Sequence, residues 1–170
     1  MSNRFALGTF SQADAKPFAG VVVEQRVLPL SAFPGLTNGD SILSLLEHWD
    51  ANFAALQTAV ASFEEAVALP LAELNAHPPV SLPRQVFCSG ANYKKHVIDL
   101  IIDEGGGPMT ENWIAAKGSP TYLPFGPYLV PAAFVPDPQN LQLTLKLNGE
   151  IKQDESTIDE LMSSNRSFHV

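Results

Sequence analysis

The chain has 170 residues, 45% of them hydrophobic, and its 10 Lys and Arg against 18 Asp and Glu give a formal net charge of −8. It has no basic run that could follow a phosphate backbone and no apolar run near the roughly 18–20 residues that cross a bilayer, so we expect neither nucleic acid nor membrane as a partner. A single cysteine, Cys88, rules out an internal disulfide and fits a reducing, cytoplasmic location.

The N-terminal part of the chain has the composition of short strands separated by turns. Residues 4–31 contain RFALGTF and PFAGVVVEQRVLPLSAF, which are rich in Phe and Val and interrupted by Gly and Pro, and they predict a small β-rich unit. After the turn signal LTNGD, apolar residues recur with the helical period, which predicts one helix capped by Asp40 or Ser41 and ended by Pro70. The periodic residues are Ile42, Leu45, Leu46, Trp49, Phe53, Leu56, Val60, Phe63 and Val67.

A proline-rich connection follows this helix. The segment LPLAELNAHPPVSLP has prolines at positions 70, 78, 79 and 83, so it cannot be regular structure throughout. We therefore place a domain boundary near residue 80, between an N-terminal domain over residues 1–80 and a second domain over residues 81–170.

The second domain contains a predicted strand, a helix and a hairpin. RQVFCSG predicts a short strand, in which Cys88 is a buried small hydrophobe rather than a nucleophile, and ANY predicts a turn. KKHVIDLIIDE predicts a helix that GGGP ends. In LQLTLKLNGEIKQ, leucines alternate with polar residues before Asn148-Gly149, which predicts two antiparallel strands joined by a tight turn.

Two stretches carry side chains suited to acid–base chemistry. His96 and Asp99 stand three residues apart on the predicted helix, so the carboxylate can hold the imidazole as a general base near neutral pH. Lys117 lies in WIAAKGSPTYLPFGPYLVP, where it could meet a developing oxyanion. On spacing alone, a solvated polar helix face explains the His–Asp pair better, and an ordinary surface lysine explains Lys117 better.

The sequence offers no ligand pattern for a metal ion. No two of the ten glutamates are two residues apart, so there is no Glu-x-Glu pair on a strand. His48, His77 and His169 stand singly, and one cysteine cannot build a cysteine-based zinc site.

Three separated stretches, in this order, resemble the fumarylacetoacetate hydrolase family: CSGANYKKHVID, AKGSPTYLPFGPYLVP and DPQNLQLTLKLNGEIKQDESTID. The third is the most specific, because its Asp-Pro-Gln-Asn-Leu opening, leucine strand, Asn-Gly-Glu and Ser-Thr-x-Asp run occur together in that family. The N-terminal unit also resembles the leading domain of longer members. The resemblance implies an α+β fold, with a small β-rich N-terminal domain before a partial, mostly β roll or barrel that is usually dimeric.

The resemblance also implies a chemistry and a set of site residues. Family members use Mg²⁺, Mn²⁺ or Ca²⁺ to hold an oxo acid, and they hydrolyse carbon–carbon bonds of 1,3-diketo acids or hydrate or decarboxylate 2-oxo acids. By resemblance, His96 and Asp99 activate the attacking water and Lys117 stabilises an oxyanion or carbanion. The residues that would line the substrate pocket are Tyr93, Gly126 and Thr157.

The chain also departs from the family pattern. Family members carry a long segment with the Glu-x-Glu pair and a later Asp between the histidine helix and the Ala-Lys-Gly stretch, whereas Lys117 here follows His96 by 117 − 96 = 21 residues. The pattern also continues beyond the Ser-Thr-x-Asp run. We therefore expect no metal site in this chain, and an incomplete barrel whose strands expose unpaired backbone and apolar faces.

Three hypotheses about function follow. The first is a protein descended from a fumarylacetoacetate hydrolase-type enzyme, with activity impaired by loss of the metal ligands. The second is a non-catalytic interaction protein that forms a homodimer or pairs with a full-length homologue. The third is a residual, metal-free activity built on His96 and Lys117.

Overall fold

The structure is a computed structural model that describes residues 4–62, 68–87, 92–103 and 118–160, with the backbone alone for residues 99–103. It divides into two compact units, Met1–Gln85 with Thr121–Phe134 and Val86–Pro120 with Val135–Val170. Antiparallel strands and few helices in the described residues confirm a mixed, β-rich fold. The predicted domain boundary near residue 80 stays a prediction.

The first unit is built on a five-stranded antiparallel sheet in the order β4-β3-β2-β1-β5. Its strands are β1 (Ala6–Ser11), β2 (Phe18–Val23), β3 (Arg26–Pro29), β4 (Leu69–Pro70) and β5 (Asn75–His77). The two edge strands are the shortest of the five, which limits the unpaired backbone that the sheet presents. The β-rich N-terminal unit predicted from the Phe- and Val-rich runs is confirmed.

Alternation along the strands gives the sheet two apolar faces. Leu7 and Val21 belong to a buried cluster that includes Ile42, Leu45 and Leu56 from the helices. On the opposite face, Phe10, Val22 and Val27 form a second, smaller cluster. Since successive side chains of a strand point to opposite faces, β1 and β2 contribute to both clusters.

The predicted continuous helix over residues 42–67 is wrong in the part that the structure describes. Two helices, α1 (Ile42–Leu46) and α2 (Trp49–Ala61), replace it, and Ser41 caps α1 through its side chain as predicted. The physical reason for the break is a buried polar side chain, because the Asn52 amide donates to the carbonyl of Leu45 at 2.9 Å. This bond, with one from the amide of His48 at 3.4 Å, satisfies the Leu45 carbonyl at the end of α1, so the helix can stop there. Phe63 and Val67 lie outside the described residues.

Short 3-10 turns and one long-range backbone pair complete the first unit. The turns span Leu30–Ala32, Leu71–Glu73 and Ala132–Phe134. The amides and carbonyls of Leu7 and Leu129 exchange two hydrogen bonds of 2.8 Å. This pair attaches the segment Thr121–Phe134 to strand β1, so the unit contains residues from two separate parts of the chain.

The second unit contains helix α3 (Lys94–Asp103), strands β6 (Gln142–Leu147) and β7 (Glu150–Ser156), and a 3-10 turn at Thr157–Asp159. The helix and the hairpin predicted from the sequence are confirmed. Asn148 and Gly149 both take positive φ, +52° and +85°, as a tight hairpin turn requires. The predicted strand RQVFCSG is wrong for residues 84–87, which are not strand, and Cys88 lies outside the described residues.

The leucine side chains of the hairpin are exposed to solvent. Leu143, Leu145 and Leu147 expose 40%, 50% and 57% of their surface, and every residue of β6 is exposed. This agrees with the expectation that strands of this region present apolar faces. Among the described residues, no helix combines the length and apolar character needed to cross a membrane.

Candidate functional site

His96 lies in the first turn of α3 with its side chain exposed. The amide of Val97 donates to the carbonyl of Tyr93 at 3.0 Å, which makes Tyr93 the residue on which the helix begins. Asp99 is on the same helix, one turn further along, but its side chain lies outside the described residues. The pairing of His96 with Asp99 therefore stays a prediction.

Tyr93 is held against the end of the hairpin. Its hydroxyl donates to Oε1 of Glu160 at 3.1 Å, and the two residues also form an isolated antiparallel backbone bridge. Partial burial, followed by the hydrogen bond and the negative charge of Glu160, raises the pKa of Tyr93 above its ordinary value. Tyr93 therefore keeps its proton and acts as a donor over the physiological range.

A second contact joins α3 to the hairpin. The ammonium of Lys95 lies 2.9 Å from Oε1 of Glu155, near the end of β7. The sequence did not predict Glu160 and Glu155 as partners of Tyr93 and Lys95. They lie 67 and 60 residues further along the chain, and no local spacing connects them. Together, the two contacts fix the helix turn that carries His96 beside the end of β7.

Thr157 has a structural role at the base of the hairpin. Its buried hydroxyl accepts from the amide of Leu141 at 2.8 Å and donates to the carbonyl of Pro138 at 3.0 Å. The amide of Thr157 in turn donates to the carbonyl of Leu141 at 2.9 Å. These bonds tie the start of β6 to the end of β7, and the proposed position of Thr157 in a substrate pocket stays a prediction.

The remaining predicted site residues are Gly126 and Lys117. Gly126 belongs to the first unit and has a φ of +112°, a conformation that other residues rarely adopt. A Cβ at this position would lie 2.7 Å from Cδ of Pro79, so the backbone there packs too closely for a side chain. Lys117 lies outside the described residues, and its role stays a prediction.

An open apolar groove of about 510 Å³ lies on the first unit. It is lined mainly by side chains such as Leu46, Val80 and Phe125, and its ionisable residues Glu47 and Arg84 form an ion pair with each other. A groove of this kind can hold an apolar group but offers no side chain placed for proton transfer.

The described residues do not form a metal site. Among them, no three His, Cys, Asp or Glu side chains come together in a way that could hold a metal ion. A hard divalent cation needs several convergent oxygen ligands, so these residues do not fit the ion that the family uses. The expectation that this chain binds no metal stays a prediction for the chain as a whole.

Comparison with known proteins gives a match to one part of the chain, which begins at Asp99. Residues 99–167 match the family model described as the C-terminal part of fumarylacetoacetate hydrolase. A protein of Schizosaccharomyces pombe described as a mitochondrial oxaloacetate tautomerase is 49% identical over 45 residues, which is 26% of this chain and 20% of that protein. The matched stretch is thus about a fifth of the length of this relative. No solved structure matches the chain.

Proposed function

We propose that the chain, whose residues 99–167 match the family model of fumarylacetoacetate hydrolase, carries part of a site for proton transfer on a 2-oxo acid, with His96 as the general base. The observation that carries this proposal is the attachment of α3 to the family-matched stretch by Tyr93–Glu160 and Lys95–Glu155. Because both contacts lie within three residues of His96, they place the helix turn that carries His96 beside that stretch.

The proposed step is an isomerisation in which no atom is gained or lost. The imidazole of His96 takes a proton from the carbon next to the ketone, the electron pair of the broken C–H bond forms a C=C bond, and the π electron pair of the C=O bond moves onto the ketone oxygen. That oxygen then receives the proton, which gives the enol. Such proton transfer suits a histidine, whose ordinary pKa lies close to neutral pH.

The other site residues have supporting roles in this proposal. By the family resemblance, Asp99 orients the His96 imidazole, and Lys117 stabilises the negative charge that develops on the ketone oxygen. The exposure of His96 leaves the imidazole accessible to a substrate from solvent. No step is assigned to a metal, because the described residues do not offer a fitting ligand set.

The test is the rate of keto–enol interconversion of oxaloacetate, which the enol absorbance in the ultraviolet reports. Oxaloacetate is the choice because the relative that shares 49% identity over 45 residues is described as its tautomerase. We expect the 170-residue chain to accelerate the reaction, and His96→Gln to lose about 10²-fold or more of that acceleration.

A matched control separates loss of the base from damage to the fold. His48→Gln changes another exposed histidine, which lies on the first unit. The ring of His48 forms a hydrogen bond with the side chain of Asn38. This variant should retain the full rate. Equal rates for wild type and His96→Gln, or no acceleration by wild type with several 2-oxo acids, would contradict the proposal.

A second candidate function is favoured by the exposed leucines of the hairpin. In this alternative, the chain is a non-catalytic partner that associates with a full-length member of the family. Co-expression with such a member, followed by purification through a tag on this chain, separates the two candidates. Recovery of a stoichiometric complex together with no acceleration of oxaloacetate enolisation would favour the partner role.

A further inference from the structure

We propose that Asn148, in the turn of the β6–β7 hairpin, is a site of spontaneous deamidation, in which the backbone nitrogen of Gly149 attacks the Asn148 side chain. Asparagine is among the thermolabile residues of proteins. Its side-chain carbonyl carbon, Cγ, can react with the backbone nitrogen of the next residue where that nitrogen is accessible. The hairpin turn offers such a nitrogen, and this inference does not depend on the proposed enzymatic function.

Both reacting groups at the turn are accessible. Asn148 and Gly149 are exposed to solvent. Among the residues that the structure describes, neither the Asn148 side chain nor the Gly149 amide has a hydrogen-bond partner. Glycine has no side chain to shield its nitrogen, and a Cβ built on Gly149 would have no atom within 4 Å. The nitrogen is therefore open both to base in solution and to Cγ of Asn148.

The attack needs a rotation within the turn, and the position of the turn allows it. Asn148 and Gly149 have φ of +52° and +85°, and ring closure requires Asn148 to rotate about the bond between its Cα and carbonyl carbon. Leu147 and Glu150 form the last pair of the β6–β7 ladder before the turn, and both are exposed. The end of such a ladder opens at low free-energy cost, so the turn can reach the reactive geometry.

The reaction consumes water and releases ammonia. The Gly149 nitrogen loses its proton to hydroxide and forms a bond to Cγ of Asn148. The bond between Cγ and Nδ2 then breaks, and Nδ2 takes a proton from water and leaves as ammonia. Water opens the resulting cyclic succinimide, which gives aspartate if the bond from nitrogen to Cγ breaks and isoaspartate if the bond from nitrogen to the backbone carbonyl carbon breaks. No atom is oxidised or reduced, and the chain gains one negative charge.

The two products should affect the hairpin differently. Aspartate fits the turn as asparagine does, because both residues tolerate positive φ. In isoaspartate the backbone continues through the side chain, which adds one carbon to a turn whose length sets the pairing of Leu147 with Glu150. We expect isoaspartate to open the hairpin at the turn, whereas the hydrogen bonds of Thr157 keep the base of the hairpin closed.

A second Asn-Gly step in the chain provides an internal comparison. At Asn38-Gly39 the side-chain amide of Asn38 forms a hydrogen bond of 3.3 Å with Nε2 of His48. Gly39 is half-buried, and a Cβ at this position would lie 3.3 Å from Cβ of Leu36. The Asn38 side chain must give up its hydrogen bond before the ring closes. We therefore expect slower deamidation at Asn38 than at Asn148, although the two steps have the same residues.

Peptide mass spectrometry of the full native chain, incubated in heavy-oxygen water at mildly alkaline pH, measures both sites in one sample. Each conversion during the incubation introduces heavy oxygen into the residue. Asn148 should convert at least about fivefold faster than Asn38, because only Asn38 must break a side-chain hydrogen bond. In urea, which unfolds the chain, the two rates should become similar. No conversion of native Asn148, or conversion of native Asn38 at the same or a higher rate, would overturn the proposal.

Asn148→Asp and Asn38→Asp are the matched variants. Each replaces one asparagine by aspartate, at a position whose positive φ aspartate tolerates. The initial release of ammonia from the native chain should fall strongly in Asn148→Asp and stay near the wild-type rate in Asn38→Asp. Equal release by the two variants would contradict the assignment to the hairpin turn.

Hydrogen exchange tests the effect of the modification on the hairpin. The aspartate and isoaspartate forms of aged wild type can be separated by chromatography. Amides of Leu147 and Glu150 should exchange faster in the isoaspartate form, whereas Asn148→Asp should exchange as fresh wild type does. Equal exchange in the aspartate and isoaspartate forms would overturn the predicted opening of the turn.

Discussion

Tyr93 and Glu160 form both a side-chain hydrogen bond of 3.1 Å and a backbone bridge, although 67 residues separate them in sequence. One end of α3 is thereby fixed to the residue that follows the 3-10 turn after β7. The position of His96 depends on this link, because His96 is three residues from Tyr93 on the same helix turn. The link is also titratable, which makes it testable.

We expect Tyr93 to make the second unit less stable at alkaline pH. Its pKa is raised in the folded chain, so its contribution to stability is complete below the unfolded pKa of about 10 and is lost as pH rises through the folded pKa. The unfolding temperatures of wild type and Tyr93→Phe should therefore differ by a constant amount below about pH 10, and this difference should shrink as pH rises from there through the folded pKa. Tyr122→Phe, at a residue 58% exposed, is the control and should follow wild type. An unchanged gap between Tyr93→Phe and wild type across this window would contradict the prediction.

Thr157→Val should loosen the base of the hairpin. The substitution keeps the shape of the side chain but leaves the amide of Leu141 and the carbonyl of Pro138 without the hydroxyl between them. We expect a loss of about 1–3 kcal/mol in the free energy of opening, measured by hydrogen exchange of the β6 and β7 amides. Thr157→Ser retains the hydroxyl and should restore most of the protection. Equal exchange in both variants would show that the hydroxyl does not determine the protection of the hairpin.

Asn52→Leu should destabilise the first unit. The Asn52 side chain is 1% exposed, accepts from the amide of Thr37 at 2.8 Å and donates to the carbonyls of Thr37 and Leu45. Its replacement removes three hydrogen bonds, of which the one to the Leu45 carbonyl is buried, at a cost of about 1–3 kcal/mol in urea unfolding. Thr58→Ala, on the exposed side of the same helix, should cost less than about 1 kcal/mol. Similar values for the two variants would show that Asn52 does not hold the break between α1 and α2.

Gly126→Ala should destabilise the first unit more than Gly149→Ala destabilises the hairpin. Both glycines have positive φ, so each substitution introduces backbone strain of about 1–2 kcal/mol. At Gly126 the new Cβ would also lie 2.7 Å from Pro79, whereas no atom lies within 4 Å of a Cβ at Gly149. Urea unfolding of the two variants measures the difference, and a smaller effect at Gly126 would show that Pro79 moves aside freely.

The elements that local pattern determines could be predicted from the sequence. Alternating leucines before Asn148-Gly149 gave the hairpin, and the helical period in KKHVIDLIIDE gave α3. The break between α1 and α2 could not be predicted, because it depends on the Asn52 amide reaching back to Leu45, while the apolar period continues across it. Periodicity reports which face is buried and says nothing about a single buried polar group.

The candidate site was predictable only where one motif contained it. His96 was identified from the spacing in its own stretch and Tyr93 by resemblance. Glu155 and Glu160, which contact Lys95 and Tyr93, come from a different stretch, and only the fold brings them together. Thr157 was identified by resemblance as a pocket residue, which stays a prediction, and the two backbone partners of its hydroxyl at the hairpin base could not be predicted. Hydrogen-bond partners distant in sequence leave no local signal.

The backbone pair between Leu7 and Leu129 has a consequence for the order in which the chain folds. Strand β1 is synthesised before the segment Thr121–Phe134. Two of its hydrogen bonds therefore cannot form until that later segment has been synthesised. Contacts between such distant residues form slowly, whereas a hairpin such as β6–β7 closes in about 1–10 μs. The newly synthesised chain should therefore form the β6–β7 hairpin rapidly once it has been made, whereas β1 should acquire its hydrogen bonds to Leu129 slowly.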